Sequence, residues 1–160
     1  MGRGTKGSKR LAWRIVAARH AGRAFDGEGA RLFGGRWNSV GTPVVYLAET
    51  RALALLELLV HLGDELALRR YVRFRVELPA RACAELERSR LPAAWRHSPA
   101  PAELQRIGDE WASSRRSLAL AVPSAVVPEE HLVLLNPRHG EWDSIEVGPA
   151  EPLAVDSRLK

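Results

Sequence analysis

The sequence predicts one α+β domain over residues 11–160, with a mostly antiparallel or mixed sheet core and flanking helices. The chain has 160 residues and is 46% apolar, which is enough to bury a single core. Short strand-like runs gather towards both ends of the chain, and helical stretches lie between them. A doubly wound parallel sheet is not expected, because strands and helices would then alternate throughout.

The first half of the domain is predicted to contain three strands, one loop and one helix. Thr50 is suited to cap the start of the helix, and Gly63 is suited to end it. The third strand alternates apolar and polar residues, which is typical of a strand with one face in the core. The strands are expected at 11–16, 43–48 and 71–78, and a Gly- and Arg-rich extended loop at 22–41.

The second half is predicted to contain two short helices followed by four brief strands. Prolines 92, 99 and 101 interrupt residues 79–117, so the second helix is placed at about 101–114. Cys83 falls in the first of these helices, where it is expected to be a small packing residue without a catalytic role. The strands are expected at 118–122, 132–135, 144–147 and 153–155, separated by Pro, Gly and Asn.

The positive charge of the chain is concentrated at the N-terminus. Removing Arg3, Lys6, Lys9 and Arg10 from the 24 basic residues leaves 20 basic against 19 acidic residues. Residues 1–10 are therefore predicted to be a disordered basic tail rather than a folded binding face. The tail has no hydrophobic region behind it, and the apolar run 52–60 is too short to span a membrane, so a cytoplasmic protein is expected.

Glu57 stands alone in the apolar run 52–60 on the predicted helix. The surrounding residues are apolar on all sides, so the helix is expected to be buried on most of its surface. A carboxylate there loses hydration worth several kcal/mol, in order of magnitude, unless it is paired or lines a cleft. Two interpretations remain open: a structural ion pair with an arginine, or a functional carboxylate in a cleft.

A glycine-rich loop precedes the strand that leads to this helix. Gly34 and Gly35 allow a close approach of the backbone to a ligand, and Arg36 can hold phosphate oxygens with two hydrogen bonds. Tyr46 on the following strand can stack on a planar ligand or belong to the core. Arg14 interrupts an apolar strand and is expected to make a second phosphate contact or to pair with an acid inside the fold.

Several other chemistries are not expected from this sequence. The loop has neither the Walker nor the Rossmann pattern, and no Gly-x-Ser-x-Gly elbow occurs. The five histidines lack the spacing of metal ligands, so no metal site is predicted. The single cysteine excludes an internal disulfide.

Six motifs occur in a fixed order along the chain. They are Trp13-Arg14-Ile15, Gly34-Gly35-Arg36-Trp37-Asn38, Val45-Tyr46-Leu47-Ala48 with Glu57 on the next helix, Gly108-Asp109-Glu110-Trp111, Val122-Pro123-Ser124 and Asn136-Pro137-Arg138-His139. This ordered set resembles the RES-domain family over residues 11 to about 159. The resemblance implies the toxin half of a bacterial toxin–antitoxin pair, with an ADP-ribosyltransferase-like fold and an Xre-like helix-turn-helix antitoxin as partner.

The resemblance further implies that NAD+ is the substrate, that no other cofactor is needed, and that the nicotinamide–ribose bond is broken. By position, Arg36, Tyr46, Glu57 and Ser124 match the family's site residues. They are the predicted catalytic residues and are expected to line one cleft. Ser124 is expected to bond the ribose or the amide of the substrate, or to be a turn serine. Arg36, Tyr46, Ser124 and Arg14 are the predicted NAD+ contacts.

The predicted function is therefore an NAD+-degrading toxin that passes ADP-ribose to water or phosphate. One alternative is a toxin that transfers ADP-ribose to a protein with the same residues. A second alternative, from another class, is a nucleic-acid-binding module that uses the basic tail. In the first two cases nucleic acid is contacted only indirectly, through the antitoxin.

Overall fold

The computed structural model describes residues 7–62 and 65–159, and within them eight strands and three helices form an α+β domain. Most of the predicted tail and the predicted stop at Gly63 lie outside the described residues. The strands are β1 (Lys9–Ala17), β2 (Val45–Ala48), β3 (Tyr71–Pro79), β4 (Cys83–Glu85), β5 (Ala119–Pro123), β6 (His131–Leu135), β7 (Glu146–Val147) and β8 (Glu151–Pro152), and the helices are α1 (Glu28–Phe33), α2 (Arg51–His61) and α3 (Ala102–Ser114).

The strands of the described residues form a single mixed sheet, as the sequence predicts. Their order is β4-β5-β6-β2-β1-β3-β7, and β8 also pairs with β3. The pair β4–β5 is parallel, and the other pairs are antiparallel. The predicted fold class, an α+β domain with a mixed sheet, is confirmed.

The long pair β1–β3 extends further towards the N-terminus than predicted. It begins with Lys9 opposite Pro79, and the Lys9 ammonium lies 3.1 Å from a Glu77 oxygen and 2.8 Å from a Glu146 oxygen. Lys9 and Arg10 therefore belong to the sheet rather than to the predicted tail. In β3, Phe74, Val76 and Leu78 are buried, in agreement with the predicted alternation.

The candidate site is built at the ends of strands β2 and β5. Both flank β6 and both are antiparallel to it. They therefore run in the same direction and end at the same edge of the sheet, where Ala48 pairs with Leu132 and Pro123 with His131. Helix α2 follows β2, and Ser124 follows β5, so residues distant in sequence meet at this edge.

Helix α2 has the predicted N-cap but is less buried than predicted. The Thr50 hydroxyl accepts a hydrogen bond from the Leu53 N–H at 3.0 Å. Leu53 and Ala54 are buried against the sheet, whereas Leu56 is 41% and Val60 is 62% exposed. The helix packs through one side only, so the burial predicted from its uniformly apolar sequence is too high. Glu57 is half-buried.

Two predicted segments differ in the structure. The stretch 22–41 is not wholly extended, because α1 forms within it between Gly27 and Gly34, whose φ angles are 72° and 71°. The stretch predicted as a first helix after residue 79 instead forms β4, which contains Cys83. Its pairing with β5, continued by a 2.9 Å hydrogen bond from the Leu86 N–H to the Ala121 carbonyl, overrides the local preference for a helix.

The two faces of the sheet carry separate parts of the core. One face packs Leu134 against Trp37, Leu53 and Leu104, which come from the glycine-rich loop, α2 and α3. The other face packs side chains of the strands with residues of adjoining segments, and Phe74 there contacts Phe25 edge to face. The loop, α2 and α3 therefore lie on the same side of the sheet. None of the helices described here has the length and apolar character needed to cross a membrane.

Candidate active site

Glu57 and Ser124 are in direct contact at the edge of the sheet where β2 and β5 end. The Ser124 hydroxyl donates a hydrogen bond of 2.6 Å to Glu57 Oε1. Within residues 7–62 and 65–159, no lysine, arginine or histidine forms an ion pair with Glu57. The alternative of a structural ion pair therefore has no partner in the described part of the chain.

Ser124 has all of its hydrogen-bonding capacity used inside the protein. Its oxygen accepts from the N–H groups of Val126 and Val127 at 3.1 and 3.0 Å, and its one hydrogen goes to Glu57. The residue is 0% exposed. Ser124 is thus the turn serine of one interpretation and the partner of Glu57 at once, and its placement does not favour a direct bond to the substrate.

Tyr46 and the glycine-rich loop form a second group of contacts. The Tyr46 hydroxyl donates to Asn38 Oδ1 at 2.7 Å and accepts from the Trp37 N–H at 3.1 Å. Burial of the phenol raises its pKa above the ordinary value, so the hydroxyl keeps its proton at neutral pH. A Cβ at Gly35 would lie 2.8 Å from the Tyr46 oxygen, which explains why glycine is needed there.

Arg36 is held by main-chain carbonyls of a distant segment. Its Nη1 donates to the carbonyls of Trp95 and His97, both at 2.9 Å. Neither contact uses Nη2 or Nε, the other two donor nitrogens of the guanidinium. Among the described residues, no acidic side chain forms an ion pair with Arg36. An arginine braced in this way can still offer a two-donor edge to an anion.

The segment 95–97 links the two groups of residues. It accepts both bonds from Arg36, and the Arg96 Nε donates to the carbonyl of Ala125 at 3.1 Å. Ala125 directly follows Ser124, which contacts Glu57. The four predicted site residues are therefore connected only indirectly: Trp37, next to Arg36, bonds Tyr46 of β2, and the segment 95–97 connects Arg36 to the turn in which Ser124 contacts Glu57.

Arg14 is placed differently from the prediction of a phosphate contact. Its Nε donates to the carbonyl of Ala24 at 2.5 Å, and its Nη1 donates to the carbonyl of Tyr46 at 2.8 Å. Burial lowers the pKa of Arg14 to about 10. Strands β1 and β2 pair at Trp13 and Ala48, and the guanidinium satisfies a main-chain carbonyl of β2 close to this pair. This placement gives the predicted phosphate contact no support.

Three residues of the site carry no role in the sequence-based interpretation. Asn38 is 0% exposed, and its amide nitrogen donates to the carbonyls of Ala30, Ser39 and Thr42 at 2.8, 3.2 and 3.0 Å. Gln105 and Gly108 on α3 contact the loop that carries Arg36. Their separation of three residues places them on one helix face, which is the only sequence signal of this contact.

The described residues contain no group of three or more His, Cys, Asp or Glu side chains that could hold a metal ion. A cavity of about 280 Å³ lies at the other edge of the sheet and is lined by Thr42, Asp109, Asn136 and Arg138, among others. It contains none of the four predicted site residues.

The chain is similar to known proteins over almost its whole length. The RES domain model matches residues 11–156. "Toxin Res" of Yersinia enterocolitica is 41% identical over 152 residues, covering 94% of this chain and 99% of that protein. "Prs ADP-ribosylating toxin" of a Sphingobium species is 39% identical over 153 residues, covering 92% of this chain and 94% of that protein.

A solved structure supports the same grouping at the level of the fold. A chain in the crystal structure of the M. tuberculosis MbcT–MbcA toxin–antitoxin complex superposes with a TM-score of 0.74 at 19% identity. The match covers 92% of this chain and 85% of that chain. The predicted ADP-ribosyltransferase-like α+β fold is thereby confirmed. With the family model matching most of its length, the chain belongs to the RES domain family.

Proposed function

We propose that this protein is an NAD+-consuming toxin that breaks the bond between nicotinamide and ribose. The observation that carries the proposal is the Glu57 carboxylate, which is oriented by the buried Ser124 hydroxyl and has no cationic partner among the described residues. Similar proteins named as toxins, one of them as an ADP-ribosylating toxin, support the same proposal.

The chemistry suits a carboxylate held in this way. When the N-glycosidic bond breaks, its electron pair moves to the pyridinium nitrogen, and nicotinamide leaves as a neutral molecule without needing a proton. Positive charge develops on the ribose C1 and ring oxygen, as in other glycosidic cleavages. A fixed negative charge stabilises this transition state more than it stabilises the substrate, because the substrate carries its positive charge on the departing ring.

Ser124 has an indirect role in this proposal. A carboxylate can only accept hydrogen bonds, so the serine hydrogen points at Glu57 Oε1 and fixes the orientation of the carboxylate. The two N–H groups of Val126 and Val127 hold the serine oxygen in turn. Glu57 would contact the ribose, and Ser124 would be a positioning residue.

Arg36 is the proposed partner of the pyrophosphate. Its Nη1 is fixed by the carbonyls of Trp95 and His97, which leaves the orientation of the guanidinium set before the substrate binds. Tyr46 holds the loop through its hydroxyl, and its ring lies against the core on the side of the sheet that carries α2. We therefore propose Tyr46 mainly as a support for the loop, and the stacking of its ring on nicotinamide as secondary.

The acceptor of ADP-ribose distinguishes two candidate activities. After nicotinamide leaves, an oxygen of water or phosphate bonds to C1 and a proton is released, so that free ADP-ribose or its phosphorylated form results. The similarity to a protein named as an ADP-ribosylating toxin favours a protein acceptor as the second candidate. A cognate antitoxin is the proposed partner in both cases, and an Xre-like type is expected from the family resemblance.

The nucleic-acid alternative is weakened by the structure of the N-terminal strand. Lys9 is paired with Glu77 and Glu146 in the sheet, and Arg10 lies 3.9 Å from Glu49. Half of the basic residues of the predicted tail are thus already neutralised by acids of the domain. The remaining two, Arg3 and Lys6, lie outside the described residues and give too little charge for strong binding on their own.

The decisive experiment is to incubate the purified protein with NAD+, with and without phosphate, and to identify the products by mass. Free nicotinamide with ADP-ribose or its phosphorylated form supports the proposal. Nicotinamide release that occurs only when a bacterial protein extract is added, with ADP-ribose found on a protein, supports the second candidate. NAD+ left intact under all of these conditions would overturn both.

A further inference from the structure

Arg36 lies at the tip of a tight turn whose base is closed by its own backbone. The N–H of Gly35 donates to the carbonyl of Asn38 at 2.9 Å, so Arg36 and Trp37 occupy the two central positions of the turn. The direction in which Arg36 leaves the backbone is therefore set by the geometry of this base.

Helix α3 forms hydrogen bonds to the base of the turn through one side chain. The Gln105 amide donates to the carbonyl of Gly35 at 3.0 Å and to the carbonyl of Asn38 at 3.1 Å. A primary amide has two N–H donors, and both are used here, one on each side of Arg36 and Trp37. Gln105 thereby connects the two ends of the turn to a rigid helix.

Two further residues of the same helix face fix the loop next to this clamp. Gly108 allows the carbonyl of Trp37 to approach so closely that a Cβ would lie 1.6 Å from its oxygen. The Asp109 carboxylate accepts from the Ser39 N–H at 2.9 Å. Gln105, Gly108 and Asp109 have the spacing i, i+3, i+4, so that one face of α3 is devoted to the loop. These two contacts hold the loop after Arg36, whereas Gln105 bonds both sides of it.

We propose that Gln105 is a positioning residue for Arg36. By fixing the turn, Gln105 holds the guanidinium in the orientation that binds an anion before the anion arrives. The identity of that anion, the pyrophosphate of NAD+, rests on the proposed function. The clamp itself rests only on the contacts described above. Without it, both ends of the turn lose their hydrogen bonds to α3, and a more mobile turn must be ordered during substrate binding at the expense of affinity.

The test compares Gln105→Met, which keeps the length of the side chain but loses both donors, with Glu110→Gln, an exposed change on the same helix. Amide hydrogen exchange of Gly35 and Trp37 should accelerate by about tenfold or more in Gln105→Met only, while the core strands keep their protection. The KM for NAD+ should rise by about tenfold with a smaller change in kcat.

A second measurement separates positioning from a general effect on stability. If Gln105 acts through Arg36, adding Gln105→Met to Arg36→Ala should cause little further loss of NAD+ affinity, because the group to be positioned is already gone. Equal losses in both backgrounds, or exchange that accelerates throughout the chain, would overturn the proposal. Absence of NAD+ turnover in the unmodified protein would instead count against the proposed function, and the exchange measurement would still decide whether the clamp exists.

Discussion

The Ser124 hydroxyl and the Glu57 carboxylate, separated by 67 positions in the chain, meet at 2.6 Å. The contact joins the end of β5 to α2, two elements that the sheet brings to the same edge because β2 and β5 run in the same direction. A buried donor thus fixes an acceptor that is only half-buried. This is the arrangement expected when the carboxylate is kept in place for a ligand on its other side.

Replacing Glu57 by Gln separates charge from shape. The Gln side chain keeps the volume, and its carbonyl oxygen can still accept from Ser124, so the melting temperature should remain near that of the unmodified protein. Turnover of NAD+ should fall by about a hundredfold or more, because the negative charge at the developing cation is lost. Glu129→Gln, an exposed change in the turn after Ser124, is the control. A large drop in melting temperature with near-normal activity per folded molecule would refute the catalytic assignment.

Replacing Ser124 by Ala should affect both stability and turnover. The N–H groups of Val126 and Val127 lose their acceptor, which should cost about 1–3 kcal/mol in the free energy of unfolding. Turnover per folded molecule should fall by roughly tenfold, less than for Glu57→Gln, because the carboxylate remains but is no longer oriented. Urea unfolding and an NAD+ assay measure the two effects. Normal turnover by a destabilised Ser124→Ala protein would mean that the serine only supports the turn.

The sequence was informative where a polar residue interrupts an apolar pattern. Glu57 in its apolar helix and the alternation of β3 are local signals, and both predictions of element type are confirmed. Cys83 was misassigned to a helix because a strand of three residues is determined by its partner β5, which lies more than thirty positions away. Local preference cannot reveal such a pairing.

The direction of a side chain is a further property that local sequence does not settle. Trp13 and Ile15 pack on the same face of the sheet as Tyr46. Because side chains alternate along a strand, the side chain of Arg14 leaves β1 on the opposite face. The sequence shows the alternation but not which face carries the site. The contact of Gln105 with the carbonyls of Gly35 and Asn38 cannot be predicted from local sequence either, because main-chain atoms of a distant loop accept both hydrogen bonds.

Replacing Tyr46 by Phe should change how stability depends on pH. Burial raises the pKa of Tyr46 in the folded protein, so the hydroxyl keeps its proton at pH values above 10. The unfolded chain releases this proton near the ordinary pKa of about 10. The unfolded state then binds fewer protons, so the free energy of unfolding falls as pH rises above 10, by up to about 1.4 kcal/mol per pH unit from this group. Urea unfolding at pH 9, 10 and 11 should show a smaller decline for Tyr46→Phe. The same decline in both proteins would show that the hydroxyl is not enclosed.

Arg36 can be tested in cells. Expressed without a partner, the unmodified protein should arrest bacterial growth and lower the NAD+ level, whereas Arg36→Ala should be tolerated because the pyrophosphate loses its charge partner. Arg36→Lys keeps the charge but loses the planar two-donor edge, so it should lie between the two. Growth and NAD+ content are followed together, with equal protein levels checked by immunoblot. Growth arrest at a normal NAD+ level would shift the assignment to modification of a protein.

The contact between α3 and the glycine-rich loop predicts that Gly108→Ala is strongly destabilising. A Cβ at Gly108 would lie 1.6 Å from the Trp37 oxygen and 2.7 Å from the Trp37 carbonyl carbon. These are backbone atoms and cannot rotate away, so we expect a cost of about 3 kcal/mol or more, the upper end for overpacked sites. Gly29→Ala, in α1, is the matched control, because no atom lies within 4 Å of the added Cβ and alanine favours a helix. Urea unfolding should show Gly29→Ala at least as stable as the unmodified protein. Equal stability of Gly108→Ala would mean that α3 does not hold the loop as closely as the structure shows.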